Sequence, residues 1–174
     1  MNNTYTWTQK SPFGKLTIST GPTGVYSLLL NGAKHAGPTP RVERLPSPAP
    51  RQVRAISSAF ERYFAGSAHA LDSIPVDLSG VKGEFQLAVL ETLRALVGPG
   101  ATMSYGELAA AAGRPGAARA VGYAMAHNPV PLIVPCHRVL ASDGTLGGYG
   151  GGLDMKRHLL RIEGVELASG RRRR

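Results

Sequence analysis

A single cysteine, Cys136, limits the ways in which this chain of 174 residues can be held together. One thiol cannot form an internal disulfide, and one thiol beside one imidazole supplies too few ligands for a structural zinc site. An apolar core must hold the fold instead. A hydrophobic content of 43% allows this, and the length suits one domain or two small domains that share a core.

The residues around Cys136 favour a chemical role for its thiol. The cysteine follows the aliphatic stretch 130–134, which predicts a short buried strand ended by Pro135. Taken by itself, the cysteine is either a small buried hydrophobe or a nucleophile. Its neighbour His137 favours the nucleophile, because a nearby imidazole lowers the pKa of a thiol and only the thiolate attacks.

The position of His137 directly after Cys136 raises a geometric problem. Successive side chains of a strand point to opposite faces, so the imidazole meets the thiol only where the chain bends or where a water carries the proton. A downstream carboxylate would then hold the histidine in place. The candidates are Asp143, Asp154, Glu163 and Glu166.

The charge and the terminal residues narrow the class of partner and the compartment. A formal net charge of +9 favours a polyanion such as nucleic acid. The terminal run Arg171–Arg174 either contacts that partner or is a solvated tail. No apolar run reaches the length of a membrane span, and the N-terminus lacks a basic-then-apolar signal pattern. With one free cysteine, these features predict a cytoplasmic protein.

The first half, residues 1–79, reads as an antiparallel meander followed by a helix. Alternating residues predict strands near 5–8, 16–19 and 25–30, separated by turns rich in serine, proline and glycine. A proline-rich stretch, 36–50, predicts a loop. The next segment, Gln52–Phe64, has helical spacing, with one apolar face formed by Val53, Ile56, Phe60 and Phe64.

The second half, residues 80–167, is predicted to be mainly helical, with a basic tail over 168–174. Glu84–Leu96 forms one helix, and Ser104 with Glu107 forms a capping box at the start of a shorter one. A glycine-rich break and a helix over 117–126 complete a helix-turn-helix unit. Alanine and glycine dominate that last helix, so its backbone can approach a groove closely, and Arg119 projects from its first turn.

Residues 84–164 resemble the O6-alkylguanine-DNA alkyltransferases, also called methylated-DNA–protein-cysteine methyltransferases. The five-residue motif around the cysteine is specific by itself, and six companion motifs follow the family's order and spacing. The shared motifs are Phe85-Gln86, Ser104-Tyr105, Gly116-x-Ala118-Arg119-Ala120-Val121-Gly122, Asn128-Pro129, Pro135-Cys136-His137-Arg138-Val139, Gly147-x-Tyr149-x-Gly151-Gly152 and Lys156-x-x-Leu159-Leu160-x-x-Glu163-Gly164.

The resemblance implies an α+β fold. Its C-terminal domain is mostly helical and carries the helix-turn-helix and the active-site cysteine. Residues 1–79 match only loosely, but their length and strand pattern are similar to the family's N-terminal domain, a ribonuclease H-like antiparallel sheet with a helix.

The activity that the resemblance implies is direct repair of DNA. An alkyl group moves from O6 of guanine, or from O4 of thymine, to Cys136 in a single turnover that needs no cofactor. The damaged nucleotide is swung out of the duplex first. The expected partner is double-stranded DNA, bound in the minor groove by a monomer with little sequence preference. Cooperative binding and a non-catalytic, lesion-binding role stay open, although the presence of Cys136 argues against the second.

The resemblance also assigns roles around the cysteine. His137 reaches Cys136 through a water, Glu163 orients the histidine, and Asn128 locks the turn before the cysteine. Arg138 makes structural hydrogen bonds or contacts a phosphate. Tyr105 crowds the phosphate of the target nucleotide and meets the base edge, unless it is simply a core aromatic residue.

Further roles fall on the helix and the glycine-rich loop. Arg119 is the finger that fills the place of the flipped base, or else a phosphate ligand at a helix N-terminus. Ala118, Ala120 and Gly122 bring the helix backbone to the DNA. In the pocket, Tyr149 is the lid, Met125 and Val139 are apolar walls or core, and Gly150 stands where some relatives carry a serine, which leaves room for larger adducts.

Three departures from the family's pattern produce expectations of their own. Leu90 replaces a tryptophan at a core position, which predicts altered packing and preserved chemistry. Some relatives bind zinc through N-terminal cysteines, whereas this half has no cysteine and only His35 and His69, so we expect no metal. His127 and His158 match no catalytic role and are predicted at the surface.

Overall fold

The computed structural model describes residues 4–30, 41–42 and 44–167. The predicted basic tail, 168–174, lies outside the described residues, as do His35 and much of the proline-rich loop. The described part of that loop, 41–42 and 44–50, contains neither helix nor strand, as predicted. No helix in the described ranges is long and apolar enough to cross a membrane.

Three strands form the predicted antiparallel meander: β1 (Tyr5–Ser11), β2 (Gly14–Thr20) and β3 (Val25–Leu29), in the spatial order β1-β2-β3. Residues 12–13 connect β1 to β2, and the following Gly14 has φ 100°, which glycine adopts readily. Trp7 pairs with Ile18 across the two strands, and both are buried. Buried apolar pairs of this kind give the sheet one apolar face.

Helix α1 (Arg51–Phe64) packs on that face, and the Trp7 indole donates a 3.1 Å hydrogen bond to the Ser57 hydroxyl. The helix begins one residue earlier than predicted. Its buried residues include Val53, Ile56 and Phe60, as expected, but the face ends at Tyr63 and leaves Phe64 half-buried.

The second half contains α2 (Glu84–Leu96), α3 (Tyr105–Ala111) and α4 (Ala118–Ala126). The predicted bounds of α2 are correct and Leu90 lies in the core, but Leu96 is 60% exposed rather than on the buried face. Both hydrogen bonds of the predicted capping box at the start of α3 are present. Helices α3 and α4 pack together as the expected helix-turn-helix pair.

The prediction of a strand over 130–134 is wrong. This segment is a tight turn, with an isolated bridge between Pro131 and Val134 and a left-handed backbone at Leu132, φ 74°. An aliphatic run shows only that the segment is buried, and a buried turn satisfies the same pattern. The turn leads to a single 3-10 turn, Cys136–Arg138.

Two short strands and a last helix complete the fold. Strand β4 (Met103–Ser104) pairs in parallel with β5 (Val139–Leu140), and α5 (Leu153–Ile162) follows. This pairing joins the start of α3 to the residue after the 3-10 turn. The apolar core runs through both halves of the chain, and the backbone N–H of Leu28 in β3 donates to the Pro129 carbonyl at 2.8 Å. The α+β class predicted from the sequence is confirmed.

Candidate active site

The 3-10 turn removes the geometric problem posed by adjacent cysteine and histidine. Three residues complete one turn of such a helix, so the side chains of Cys136, His137 and Arg138 point in three directions instead of alternating between two faces. The Arg138 N–H donates to the Pro135 carbonyl at 2.9 Å and closes the turn. Cys136 is 7% exposed and His137 is fully buried.

Asn128 fastens the turn that delivers Cys136. Its side-chain amide donates to the Val134 carbonyl at 2.8 Å, and its side-chain oxygen accepts from the Val130 N–H at 3.0 Å. These two bonds span the left-handed Leu132, a backbone conformation that costs about 1–3 kcal/mol and persists only where neighbouring contacts impose it. The structure therefore gives Asn128 the contacts of a turn lock.

Glu163 is the carboxylate that holds the histidine. Its Oε1 lies 2.9 Å from Nε2 of His137, and both side chains are fully buried. The other candidates lie elsewhere on the surface: Asp143 pairs with Thr145, Asp154 pairs with Arg157, and Glu166 is exposed. Glu163 caps the C-terminus of α5, so that helix sets its position.

The ionisation of Glu163 fixes the proton on the imidazole. Burial alone raises the pKa of this carboxyl, but the hydrogen bonds and charges of His137 and Arg138 outweigh burial and lower the pKa to about 2. An ionised carboxylate only accepts hydrogen bonds, so Nε2 of His137 carries the proton. Burial in turn lowers the pKa of His137, against the attraction of Glu163. The imidazole is therefore neutral near pH 7, with Nδ1 as its basic nitrogen.

Arg138 makes structural contacts and is buried. Its Nε donates to Oε2 of Glu163 at 2.7 Å, and a terminal nitrogen donates to Oε1 at 3.0 Å. The other terminal nitrogen donates to the Val97 carbonyl at 2.5 Å, just past the end of α2. Each guanidinium nitrogen thus donates a hydrogen bond inside the protein and Arg138 is 5% exposed, which favours the structural alternative over a phosphate contact.

Tyr63, a residue that the sequence analysis did not single out, completes the environment of Glu163. Its hydroxyl donates a 2.7 Å hydrogen bond to Oε1, the same oxygen that receives the His137 N–H. Tyr63 is 1% exposed and lies near the end of α1, in the first half of the chain. Burial, followed by the adjacent Glu163 charge, raises the pKa of Tyr63 far above its ordinary value.

Lys156 is a second residue whose role the sequence did not reveal. It is fully buried on α5, and its ammonium donates to the Val139 carbonyl at 2.7 Å, to the Gly148 carbonyl at 3.3 Å and to the Leu146 carbonyl. Burial lowers the pKa of Lys156 to about 8, while Cys136 acts in the opposite direction. The ammonium thus ties the glycine-rich loop to β5 and places a positive charge near the thiol.

The surroundings of Cys136 keep its thiol protonated at rest. Burial raises the pKa of Cys136, and the neighbouring Asn128 amide and the charge of Lys156 counter that increase in part. Two tyrosines lie near the thiol. Burial raises the pKa of Tyr105 and of Tyr149, and the negative charge of Cys136 in its thiolate form raises both further.

The other residues expected in the pocket are at different depths. Tyr149 and Met125 are half-buried against the core, Val139 is completely buried, and Gly150 is exposed. Among the described residues, two buried side-chain nitrogen or oxygen atoms have no hydrogen-bond partner: the Tyr149 hydroxyl and Nδ1 of His137. Tyr105 lies against Gly147, where an added Cβ would be 3.3 Å from the Tyr105 hydroxyl.

Except for Tyr105, which begins α3, the predicted DNA-binding residues lie on α4. Arg119 and Ala120 are exposed in its first turn, whereas Ala118 and Gly122 are half-buried. The opposite face of α4 is buried through Val121 and Ala124. In its first turns the helix thus presents an outer surface of small residues, from which the Arg119 side chain projects.

Comparison with known proteins decides the family. A family described as "6-O-methylguanine DNA methyltransferase, DNA binding domain" matches residues 84–165. A methylated-DNA–protein-cysteine methyltransferase of Mycobacterium bovis is 42% identical over 156 residues, which cover 88% of this chain and 88% of that relative. This chain belongs to the methylated-DNA–protein-cysteine methyltransferases.

Two further comparisons concern coverage and shape. A methyltransferase of the same name from Mycolicibacterium paratuberculosis is 50% identical over 113 residues, covering 63% of this chain and 66% of that relative, just under two thirds of its length. A crystal structure of Mycobacterium tuberculosis OGT in complex with DNA is 35% identical, with a TM-score of 0.78, and covers 92% of this chain and 93% of that one.

Sequence reasoning missed Tyr63 and Lys156 for different reasons. Tyr63 occupies an apolar stripe of α1, and its pattern is that of an ordinary core tyrosine. Lys156 belongs to a family motif, yet a lysine on an amphipathic helix usually lies on the solvated face. Its three carbonyl partners come from a loop and a two-residue strand, whose positions no local pattern predicts.

Proposed function

We propose that this chain repairs alkylated DNA directly by moving an alkyl group from O6 of guanine, or O4 of thymine, to Sγ of Cys136. One carbon–oxygen bond breaks and one carbon–sulfur bond forms. The thioether is stable, so each molecule reacts once. The observation that carries this proposal is the buried hydrogen bond between His137 and Glu163, which leaves Nδ1 of the histidine basic. His137 directly follows Cys136, the one thiol of the chain.

The proton of the thiol determines the order of events. Because burial holds Cys136 as a thiol, a base must take its proton before or during attack on the alkyl carbon. Nδ1 of His137 takes it, through a water as the family resemblance implies. The resulting imidazolium is stabilised by the buried carboxylate of Glu163 at 2.9 Å. The guanine leaves as an anion and takes up one proton, and His137 gives up the proton that it took from the thiol, so the normal base is restored with no net gain or loss of protons.

Lys156 and Asn128 also favour loss of the thiol proton. The charge of Lys156 and the amide of Asn128 both lower the pKa of Cys136. As negative charge develops on sulfur, these fixed groups stabilise it without having to reorganise. They would speed attack by the thiolate and have little effect on the resting thiol.

DNA binding is assigned to the outer surface of α4. The small residues Ala118, Ala120 and Gly122 let the helix backbone approach the minor groove, and Arg119 enters the base stack in place of the flipped nucleotide. Contacts made mainly through the backbone carry little sequence information, which suits a protein that must find lesions anywhere. The net charge of +9 predicts that affinity falls steeply with salt.

The flipped base is assigned to a pocket beside Cys136. Tyr105 meets the base edge and the phosphate, Tyr149 covers the base, and Met125 with Val139 forms the apolar wall. Gly150 is exposed, and a Cβ built on it would contact nothing within 4 Å, so larger alkyl groups have room there. Comparable transfer rates from methyl and benzyl adducts would support this, and strong exclusion of benzyl would contradict it.

Assembly, location and domain division complete the proposal. We expect a cytoplasmic monomer, because the reaction needs a reduced thiol and one helix surface suffices to bind DNA; cooperative binding along DNA is tested by titration. Residues 1–79 and 80–167 are proposed as the two domains. No cofactor is required, since the thiol itself accepts the alkyl group.

Stoichiometry tests this function against its alternative, a protein that binds lesions without repairing them. Duplex DNA carrying O6-methylguanine is supplied in about tenfold excess, and the remaining lesions are counted over time. The proposal predicts a single burst that stops at one lesion repaired per protein molecule. Continued turnover would indicate a hydrolase, and tight binding with no loss of lesions would establish the non-catalytic alternative.

A further inference from the structure

One exposed face of α4 carries more than the finger arginine. Arg119, Tyr123 and His127 are four residues apart, so they form a row along one side of the helix. All three are exposed, and Tyr123 is 59% exposed. The exposed residues Ala120 and Ala126 nearby on the helix are small, so the Tyr123 side chain projects beyond them.

Tyr123 and His127 form one preassembled unit. Their ring centroids are 3.9 Å apart, with 22° between the planes, which is a stacked arrangement. Nδ1 of His127 donates to the Tyr123 carbonyl at 2.9 Å, because a carbonyl oxygen only accepts, and the Gln86 side chain donates to the His127 carbonyl at 3.1 Å. These hydrogen bonds hold the His127 ring and backbone, and the Tyr123 ring stacks on that ring, so the pair would lose little conformational freedom on binding.

We propose that the Tyr123–His127 stack is a second DNA contact, which packs its aromatic face against the sugar and base edge of a nucleotide about two positions away from the flipped one. This inference rests on the proposed function, since it needs α4 to face DNA. The proposed contact lies outside the thiol and the base pocket, and the family motifs of this chain include neither Tyr123 nor His127.

The position of the stack relative to Arg119 makes DNA its expected partner. Four residues advance an α-helix by about 6 Å, and successive nucleotides of one strand are about 3.4 Å apart. When Arg119 occupies the place of the flipped base, a helix lying along the groove therefore brings Tyr123 about two nucleotides further on. Packing against the sugars of the groove tolerates any sequence, because contacts to sugars carry no sequence information directly.

The experiment measures the affinity of three Tyr123 variants for a duplex containing O6-methylguanine, by fluorescence anisotropy at fixed salt. We expect Tyr123→Ala and Tyr123→Leu to weaken binding by about fivefold or more, and Tyr123→Phe to stay within about twofold of wild type. The salt dependence should keep its slope, because Tyr123 neutralises no phosphate. Tyr26→Ala, at a 39% exposed tyrosine of β3, is the matched control and should bind as wild type does.

The outcomes separate this inference from the proposed function. Thermal unfolding of each variant first establishes that α4 is intact; alanine has a high helix propensity, so Tyr123→Ala should fold. If wild type repairs the lesion and Tyr123→Ala binds DNA as tightly as wild type does, the inference is wrong and the proposed function stands. If wild type neither binds nor repairs the lesion, the proposed function fails. A loss in Tyr123→Ala and Tyr123→Leu that Tyr123→Phe avoids supports the stack.

Discussion

Tyr63 donates a 2.7 Å hydrogen bond to Glu163, a residue one hundred positions later in the chain. The tyrosine lies on α1 of the first half, and the carboxylate follows α5 of the second. The accepting oxygen also receives the N–H of His137. The sheet-and-helix half of the chain therefore contributes directly to the geometry around His137, the residue next to the thiol.

Tyr63→Phe tests this link with the loss of one oxygen atom. We expect the free energy of unfolding to fall by about 2 kcal/mol, the usual value for a hydrogen bond to a charged group. Alkyl transfer should also slow. The loss should stay below the roughly hundredfold expected when a general acid–base group is removed, because Arg138 still holds Glu163 in place. Urea unfolding and single-turnover rates measure the two effects. Tyr5→Phe in β1 is the control, and equal behaviour of the two variants would contradict the link.

Glu163→Gln removes the charge that Arg138 and His137 share. Arg138 would remain buried without its counterion, which costs about 3–5 kcal/mol of stability. The transfer rate should fall by roughly 10²–10⁴-fold, because no carboxylate stabilises the imidazolium. Asp154→Asn, at an almost fully exposed carboxylate of α5, is the matched control and should change stability by less than about 0.5 kcal/mol. A rate within a few-fold of wild type in Glu163→Gln would remove the carboxylate from the mechanism.

Acid should destabilise the protein in two ways that have the same sign. The lowered pKa of His137 means that the unfolded chain binds a proton below about pH 6.5 while the native imidazole stays neutral. The pKa of Glu163, about 2, means that the unfolded carboxyl is protonated near pH 4.3 while the native one stays charged. Both effects reduce the free energy of unfolding as the pH falls.

Urea unfolding between pH 7.5 and pH 3 measures this loss, with Glu163→Gln as the reference. The stability difference between wild type and the variant should shrink as the pH falls from about 5 to 3, because the contribution of the ionised carboxylate is progressively lost on the way to its native pKa of about 2. A difference that stays constant over this range would show that Glu163 has an ordinary pKa in the native state.

Gly151 has no space for a side chain, unlike its neighbour Gly148. An added Cβ at Gly151 would lie 2.5 Å from Sδ of Met155, 3.0 Å from Leu30 and 3.1 Å from the Tyr149 ring, whereas at Gly148 it would contact nothing within 4 Å. Gly151→Ala should therefore cost about 1–3 kcal/mol and slow transfer by displacing Tyr149. Gly148→Ala should leave both quantities near wild type. Similar effects of the two substitutions on the transfer rate would mean that Tyr149 does not depend on this close packing.

Local signals in the sequence predicted the elements that local chemistry controls. The meander, the bounds of α2 and the Ser104–Glu107 capping box follow from alternation, helical spacing and one reciprocal pair of hydrogen bonds. The pairing of His137 with Glu163 was implied by family resemblance, since spacing alone left four carboxylates open. The structure selects Glu163 among them by contact and burial.

The errors arose where the decisive contacts are side-chain hydrogen bonds that an apolar pattern does not reveal. The segment 130–134 is a turn because Asn128 bonds to it at both ends and because Leu132 adopts a left-handed conformation. An aliphatic run contains no sign of either fact. The same limit hid Tyr63, whose partner is far along the chain and whose own position reads as core.

The intact mass of the protein after incubation with duplex DNA carrying O6-methylguanine tests the central claim most directly. The account predicts a gain of one methyl group, mapped by peptide digestion to Cys136 and absent from Cys136→Ser. An unmodified protein that still binds the lesion tightly, or a methyl group found on any other residue, would contradict it.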